Sequence, residues 1–411
     1  MNSSNKKIIY ECVLQLEKNI SHCDYFGFDP YDIKGTPFYI WALSLPRSGL
    51  MKNLFRKIIL APLILGESFF PNFFRWLFGV NSTRNAKGIG LIARGYLNLY
   101  KESNNKIWLE KAISLLNWLE ENRNKNYEFN CWGYPFDWYS GGGLVPANTP
   151  AAVVCSSAFD AFWDAWLIIG DHKYLDSCKS ICNFFLNNLN ISYESEESIC
   201  FSYTPLDNLQ VQNINLMISD CLLRVGYVFN DFSLMDVGKK AANFALREQN
   251  PDGSLFYYGR LQNYIDPGRV DHYHSGFEMR SMYGIWKTTL DPIYRNALNR
   301  YYKYYSNNLI KSYGGLVFPL MYPGKEYPIN IHSYAEAVLL NSTLSNVFPE
   351  AKKLVDLIIP VFFRRMKKPN GDFRYMINKF GPFYLRSNIS YMRWGQAWTF
   401  LALTQALLID E

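Results

Sequence analysis

Residues 350–377, EAKKLVDLIIPVFFRRMKKPNGDFRYMI, followed by 391–408, YMRWGQAWTFLALTQALL, hold one complete structural unit whose parts recur along the chain. In the first part, Ala351, Leu354, Val355, Ile358, Ile359 and Phe362 fall at the i, i+3, i+4, i+7, i+8, i+11 spacing of a helix with one apolar face. The turn Pro369-Asn370-Gly371-Asp372 stops that helix and reverses the chain. A short extended piece, 372–377, comes next. The last part is apolar nearly all round, and a helix without a polar face is buried on every side.

Four other stretches repeat the extended piece: CWGYPFDW from Cys131, ICFSYTP from Ile199, SLFYYG from Ser254 and GLVFPLM from Gly315. Aligning Tyr134, Phe201, Phe256, Phe318 and Phe373 gives steps of 67, 55, 62 and 55 residues. Two ordinary helices and two connections fill such a step. Half-wet helices are expected near 107–122, 173–189, 231–247, 292–309 and 350–366. Fully buried ones are expected near 84–100, 149–169, 207–229, 271–289, 331–347 and 390–408. Alternation of the two kinds describes a double ring, an all-α (α/α)6 toroid of six helical hairpins with short extended segments at one rim. No linker or charge run divides the chain, so residues 81–411 form the toroid and residues 1–80 an N-terminal extension that supplies the missing outer helix.

Hydrophobic residues make up 49% of the chain and aromatics 17%, enough for a large core with rings left over for a binding surface. The net charge of +6 is too small and too evenly spread to argue for nucleic acid, and it leaves an anionic ligand open. The eight cysteines form no CxxC pair and stop halfway along the chain, so they read as buried thiols rather than a disulfide framework or zinc site. The N-terminal residues carry charges where a secretory signal needs an unbroken apolar segment, which implies a cytoplasmic setting. The most apolar stretch, 54–80, is broken by Pro62, Glu67, Pro71 and Arg75, and its longest uncharged run, 58–66, is too short to span a bilayer. It reads either as a core helix with a loop or as a peripheral element against the inner face of a membrane.

In such a ring each extended piece leads into the next inner helix, so residues at those junctions converge on one cavity. The junctions carry Asp137 and Trp138, Tyr203, Tyr258, Asp266, Arg269, Asp271, His274, Glu278, His332, Glu336, Arg374, Arg393 and Trp394. Aromatics beside carboxylates, His and Arg suit a sugar, whose apolar ring faces stack and whose acidic groups Arg clamps. His274 and Glu278 share a helix face at i, i+4, as do His332 and Glu336 on the following inner helix, and Asp271 is placed to cap the first. The plainer reading is that each pair ties its helix to a loop. A metal site is the weaker alternative, since HxxxE alone is a poor signature, and no cofactor is expected. Asp137 reads equally as a loop cap, and Arg374 points either inward to an anion or outward to water.

The turn Asn250-Pro-Asp-Gly-Ser, the aromatic piece after it and the helix start Asp271-His-Tyr-His-Ser-Gly-Phe-Glu278 resemble the six-hairpin glycosidase-like superfamily, closest to the VpsJ-type proteins of bacterial exopolysaccharide biosynthesis. Arg269-Val-Asp-His-Tyr-His274 is also similar to a motif of glucuronyl C5-epimerase catalytic domains, with one residue more between the Asp and the final His. The resemblance implies an oligo- or polysaccharide ligand. Removal of a C5 proton from a uronic-acid unit would need a base (His274, His332 or a tyrosine such as Tyr258), an anion-stabilising Arg269 or Arg374 and a second acid; epimerases and lyases share these parts. Hydrolysis would instead use two of Asp137, Asp271, Glu278 and Glu336. A non-catalytic glycan-binding scaffold needs only the aromatics. Terpene cyclases are also helical toroids, but the chain has no DDxxD or DxDD run.

Overall fold

The computed structural model describes residues 1–45, 50–141, 143–260 and 269–410. Polar caps mark the helix starts: Asn85, Asn105, Asp171, Asp231, Asp271, Asp291 and Asn330 each accept a first-turn backbone N–H that the helix leaves unpaired. Helix α1 (Ser3–His22) is followed by a 3-10 turn (Ile33–Gly35), α2 (Pro37–Ser44), α3 (Leu50–Phe69) and α4 (Pro71–Leu77). The hairpins then follow in order: α5 (Ala86–Ser103) with α6 (Lys106–Glu121), α7 (Ala152–Ile169) with α8 (His172–Asn188), α9 (Gln212–Phe229) with α10 (Phe232–Glu248), α11 (His272–Thr289) with α12 (Pro292–Asn308), and α13 (Ile331–Thr343) with α14 (Pro349–Met366). A π-helical turn (Met392–Ala397) opens the last inner helix, α15 (Trp398–Leu407).

Helices α5, α7, α9, α11, α13 and α15 touch one another in that order and α15 returns to α5, which closes the inner ring. The sixth outer helix is α1, packed on α15, and the Met1 ammonium donates to the Asp410 carbonyl at 2.8 Å. Tyr96 of α5 ties the two layers there by donating to Glu17 of α1 at 2.9 Å. Among the described residues one helix, α7, is long and apolar enough to cross a membrane, and it stands inside this ring. All eight cysteines are free thiols; seven are buried and Cys23 is exposed.

Short antiparallel hairpins decorate one rim: β1 (Trp138–Ser140) with β2 (Gly143–Val145), β3 (Ile191–Glu194) with β4 (Ile199–Phe201), and β5 (Ile310–Tyr313) with β6 (Leu316–Pro319). A three-stranded sheet joins β7 (Ile329–Asn330), β8 (Met376–Phe380) and β9 (Phe383–Ser387). One backbone bond recurs around this rim. The first-turn N–H of an inner helix donates to a carbonyl of the next hairpin's extended piece: Ala152 to Tyr203, Gln212 to Tyr257, His272 to Met321 and Ile331 to Tyr375, at 3.0–3.1 Å. The fifth wraps round the chain, Met392 N–H to Phe28 O at 3.2 Å.

Two turns inside the ring lies a belt of charge. Arg94 of α5 donates to Asp160 (2.9 Å) and Asp164 (2.7 Å) of α7, Arg224 of α9 to Asp160 and Asp220 (both 2.7 Å), and Arg280 of α11 to Glu336 of α13 (2.7 and 3.2 Å). Removing Arg280 would strand the fully buried Glu336 carboxylate, a loss of roughly 3–5 kcal/mol. Gly276 allows α11 and α13 to approach this closely, since a Cβ there would sit 2.2 Å from Glu336 Cγ.

The segment between α1 and α5 docks on the rim through buried Arg75, which donates to Asp32 (2.8 and 3.2 Å), Glu67 (3.3 Å) and the Tyr391 hydroxyl (3.1 Å). Gly35 passes so close to Asp137 that any side chain at 35 would meet its carbonyl.

Burial raises the Asp220 carboxyl from 3.8 to about 6, against the pull of Arg224. An acid that binds its proton more tightly when folded contributes stability below its unfolded value and loses it as pH rises through the folded one. Asp220→Asn is therefore expected to flatten the stability profile between pH 3.8 and about 6 relative to wild type, read by chemical denaturation across pH. Parallel profiles would mean that Asp220 ionises as in water.

Candidate functional site

The first turns of five inner helices and the opening π-turn surround one cavity of about 310 Å³, at the small end of the range for ligand sites. Seven of the residues expected from sequence line it: His274, His332, Trp138, Tyr203, Tyr258, Arg393 and Trp394. Asp271 stands behind one of them. As the N-cap of α11 it accepts the His274 backbone N–H at 3.0 Å, and its other oxygen lies 2.6 Å from His274 Nδ1. That contact fixes the imidazole with Nδ1–H toward the carboxylate and leaves the Nε2 lone pair free, the arrangement of an oriented general base.

His332, at the start of α13, is buried and has no partner on either ring nitrogen among the described residues. It stacks on Tyr273 (centroids 4.8 Å apart, planes 7° from parallel) and meets the rings of Trp394 and Trp398, each at 4.8 Å. Burial, and then the cations Lys87 and Arg393, push it well below the usual histidine value, so it is neutral near pH 7. Tyr273 and Phe277 each contact both histidines and so separate and orient them.

Two cations face the cavity. Arg393 forms a two-pronged pair with Asp29 (2.5 and 2.7 Å) and lies over the rings of Tyr31, Tyr134 and Trp394. Lys87 sits in the first turn of α5 and reaches across the ring to Phe277 and Trp398, with its nitrogen 5.4 Å from each centroid. No carboxylate pairs with it among the described residues. Burial, reinforced by Arg393, drives its ammonium well below the ordinary lysine value.

The walls are aromatic: Tyr31, Tyr134, Tyr257 and Tyr273 join Trp138, Tyr203, Tyr258 and Trp394. Burial holds the phenols of Tyr31, Tyr134, Tyr203, Tyr257 and Tyr273 above their usual value, so they stay protonated and donate hydrogen bonds. Trp138 Nε1, Trp394 Nε1 and Asn213 Oδ1 are buried in this lining without a protein partner among the described residues. Apolar faces with unpartnered polar edges match a sugar ring and its hydroxyls.

The remaining expected residues are held elsewhere. Glu278 is buried and accepts from the hydroxyl of Tyr301 on outer helix α12, which also bonds Ser275, so it faces away from the axis, and burial raises its carboxyl well above the usual range. Glu336 lies one turn below His332, about 6 Å deeper, in the ion pair with Arg280. Asp137 accepts the Ala147 backbone N–H at 2.6 Å and caps its loop. Arg269 is exposed, with its guanidinium 5.9 Å from the Tyr322 ring, and Arg374 lies beside Arg386 outside the cavity lining. Asp266 lies outside the described residues. Sequence reasoning missed Lys87, Tyr31, Tyr257, Tyr273 and Phe277. A wider cleft of about 1110 Å³ lies between Trp118 and Pro150; it takes in Asn148 and Thr149 of the Asp137 junction but none of the candidate catalytic or sugar-binding residues.

No protein-family model and no curated protein matches the sequence. Solved structures do. An unsaturated glucuronyl hydrolase specific for heparin superposes with a TM-score of 0.61 at 12% identity, covering 99% of this chain and 97% of its own. A GH76 alpha-mannanase of Bacteroides thetaiotaomicron gives 0.60 at 12% identity over 79% of this chain and 86% of its own. The cellobiose 2-epimerase of Bacillus thermoamylovorans gives 0.59 at 12% identity over 80% and 89%. The likeness at such identity is one of fold: the chain has the (α/α)6 architecture of the six-hairpin glycosidase-like proteins.

Proposed function

We propose that the chain is a carbohydrate-active enzyme of surface-polysaccharide synthesis that removes the C5 proton of a uronic-acid unit in a glycan, as an epimerase or an eliminating lyase. The observation that carries this reading is the Asp271–His274 pair opening onto an aromatic cavity that also holds an unpaired lysine. A C5 hydrogen is acidic only because the electrons left behind spread into the adjoining carboxylate. The site must therefore offer a base, a positive charge at the carboxylate and an acid.

His274 Nε2 takes the proton and Asp271 stabilises the resulting imidazolium. Lys87 neutralises the charge that grows on the carboxylate oxygens. A carboxylate arriving beside Lys87 also favours the charged form of its amine, against the burial that opposes it. Return of a proton to the opposite face of C5 from a phenol of the wall inverts that centre. If the electron pair instead expels the substituent oxygen at C4, the product is a 4,5-unsaturated sugar made by the same base. Hydrolysis has less support, because Asp137, Glu278 and Glu336 are engaged outside the cavity and no second carboxylate faces Asp271 among the described lining residues.

Incubation with uronate-containing oligosaccharides in deuterated water, followed by NMR, tests the reading. Deuterium at C5 marks an epimerase and a 4,5-unsaturated product a lyase; new reducing ends alone, or binding without change, would overturn it. His274→Ala should lower kcat by roughly 10²–10⁴-fold. Lys87→Met should raise KM for the uronate by roughly tenfold or more while leaving the binding of a neutral analogue unchanged. An equal loss for both ligands would show that Lys87 only supports the wall.

A further inference from the structure

Exposed aromatic side chains cluster on the segment between α1 and α5 and on the hairpin beside it. Helices α2–α4 expose Trp41, Phe55, Phe70 and Trp76, the last at 75%, and the β8–β9 hairpin beside α3 exposes Phe383, also at 75%, and Tyr384. Water-exposed tryptophan and phenylalanine in such number, on two separate chain segments brought together, are not accounted for by the core they cover. On α4 the exposed positions run Phe70, Phe73, Trp76 and Leu77, the spacing of one helix face, while Arg75 on the opposite face anchors the helix to the ring.

Charge on the same two segments has one sign. Between residues 34 and 80 Arg75 and Glu67 pair with each other inside the protein, and every other charged residue is Lys or Arg. Residues 374–386 hold Arg374, Lys379 and Arg386 and no acid. We infer that this face docks on an anionic lipid bilayer, with the aromatic side chains entering the headgroup region and exposed Lys379 and Arg386 meeting lipid phosphates. A soluble acidic partner would satisfy the cations but not this area of bare ring surface, and a second copy of the chain would bring like charges together. The stretch that carries Tyr31 into the cavity continues directly through the turn Ile33–Gly35 into α2, so docking sets the cavity mouth beside the bilayer.

Flotation of the full chain with phosphatidylcholine vesicles, with and without phosphatidylglycerol, tests the inference, since binding should require the anionic lipid and weaken with salt. Trp76→Glu and Phe383→Glu together should reduce the floated fraction by about tenfold or more while the melting temperature stays that of wild type. Absence of flotation, flotation indifferent to lipid charge, or flotation unchanged in the double variant would each overturn it. So would a dimer in light scattering that the same substitutions dissolve, because that result gives the face to a second copy. The readout involves no turnover, so it stands or falls apart from the proposed chemistry.

Discussion

The structure depends on the backbone bond that five of the six inner helix starts give to an extended piece packed over them. A buried helix begins with N–H groups that have no intrahelical acceptor, and leaving one unsatisfied costs about 1–3 kcal/mol. In the ring these starts are inside the protein, where water cannot serve them. The carbonyls of Tyr203, Tyr257, Met321, Tyr375 and Phe28 do so. Because the acceptor always comes from the following hairpin, every extended piece is drawn over its neighbour's helix, and the aromatic side chains on those pieces are swept to a common mouth. Phe28, from the N-terminal segment, fills the acceptor role at the closing seam, which makes that segment part of the rim.

Depth then separates two kinds of charge. Arg94 lies seven residues beyond Lys87, Arg280 six beyond His274 and Glu336 four beyond His332, which at 1.5 Å per residue puts them about 6–10 Å further along the axis. At that level the guanidiniums and carboxylates of neighbouring helices bond to one another and form a floor. Above it, beside the Arg393–Asp29 and His274–Asp271 pairs, several groups are single among the described residues: a lysine without a carboxylate, a histidine without a partner, two indole N–H groups and an amide oxygen. The paired layer holds the helices in register, and the unpaired layer is free to meet a ligand.

The ring was legible in the sequence because its period is written in the turns and in the alternation of half-wet with fully apolar helices. Both are local consequences of burial, and the helix limits fall within a few residues of those expected. A second signature went unread. Asn104-Asn105, Gly170-Asp171, Asn230-Asp231 and Leu290-Asp291 are all two-residue links in which a left-handed residue is followed by an N-cap. The site was legible only where chemistry coincided with a junction, as at Asp271, His274 and His332. Glu278 and Glu336 share a helix face with those histidines, but a further turn changes both depth and direction, and one lies against Tyr301 and the other in the belt. Lys87 was passed over because a lysine on a helix usually marks a wet face. Its neighbours, AKGIGLIA from Ala86, leave that helix no wet face to mark.

That lysine is the sharpest argument for a ligand. A chain selected only to fold would place methionine or leucine between the Phe277 and Trp398 rings, since replacing buried charge with packed hydrophobic side chains is often neutral or stabilising by about 1–4 kcal/mol. Here an amine is buried instead, its charge opposed by desolvation and by Arg393, beside a histidine whose charge is opposed by the same forces. Rules of folding broken together at one place, around a cavity whose other polar atoms also lack partners, are what a binding site leaves in a structure. On the proposed function the counterpart is anionic toward Lys87, able to bond with Trp138, Trp394 and Asn213, and flat enough to lie among tyrosines. An acidic sugar has each of these properties on adjacent atoms of one ring.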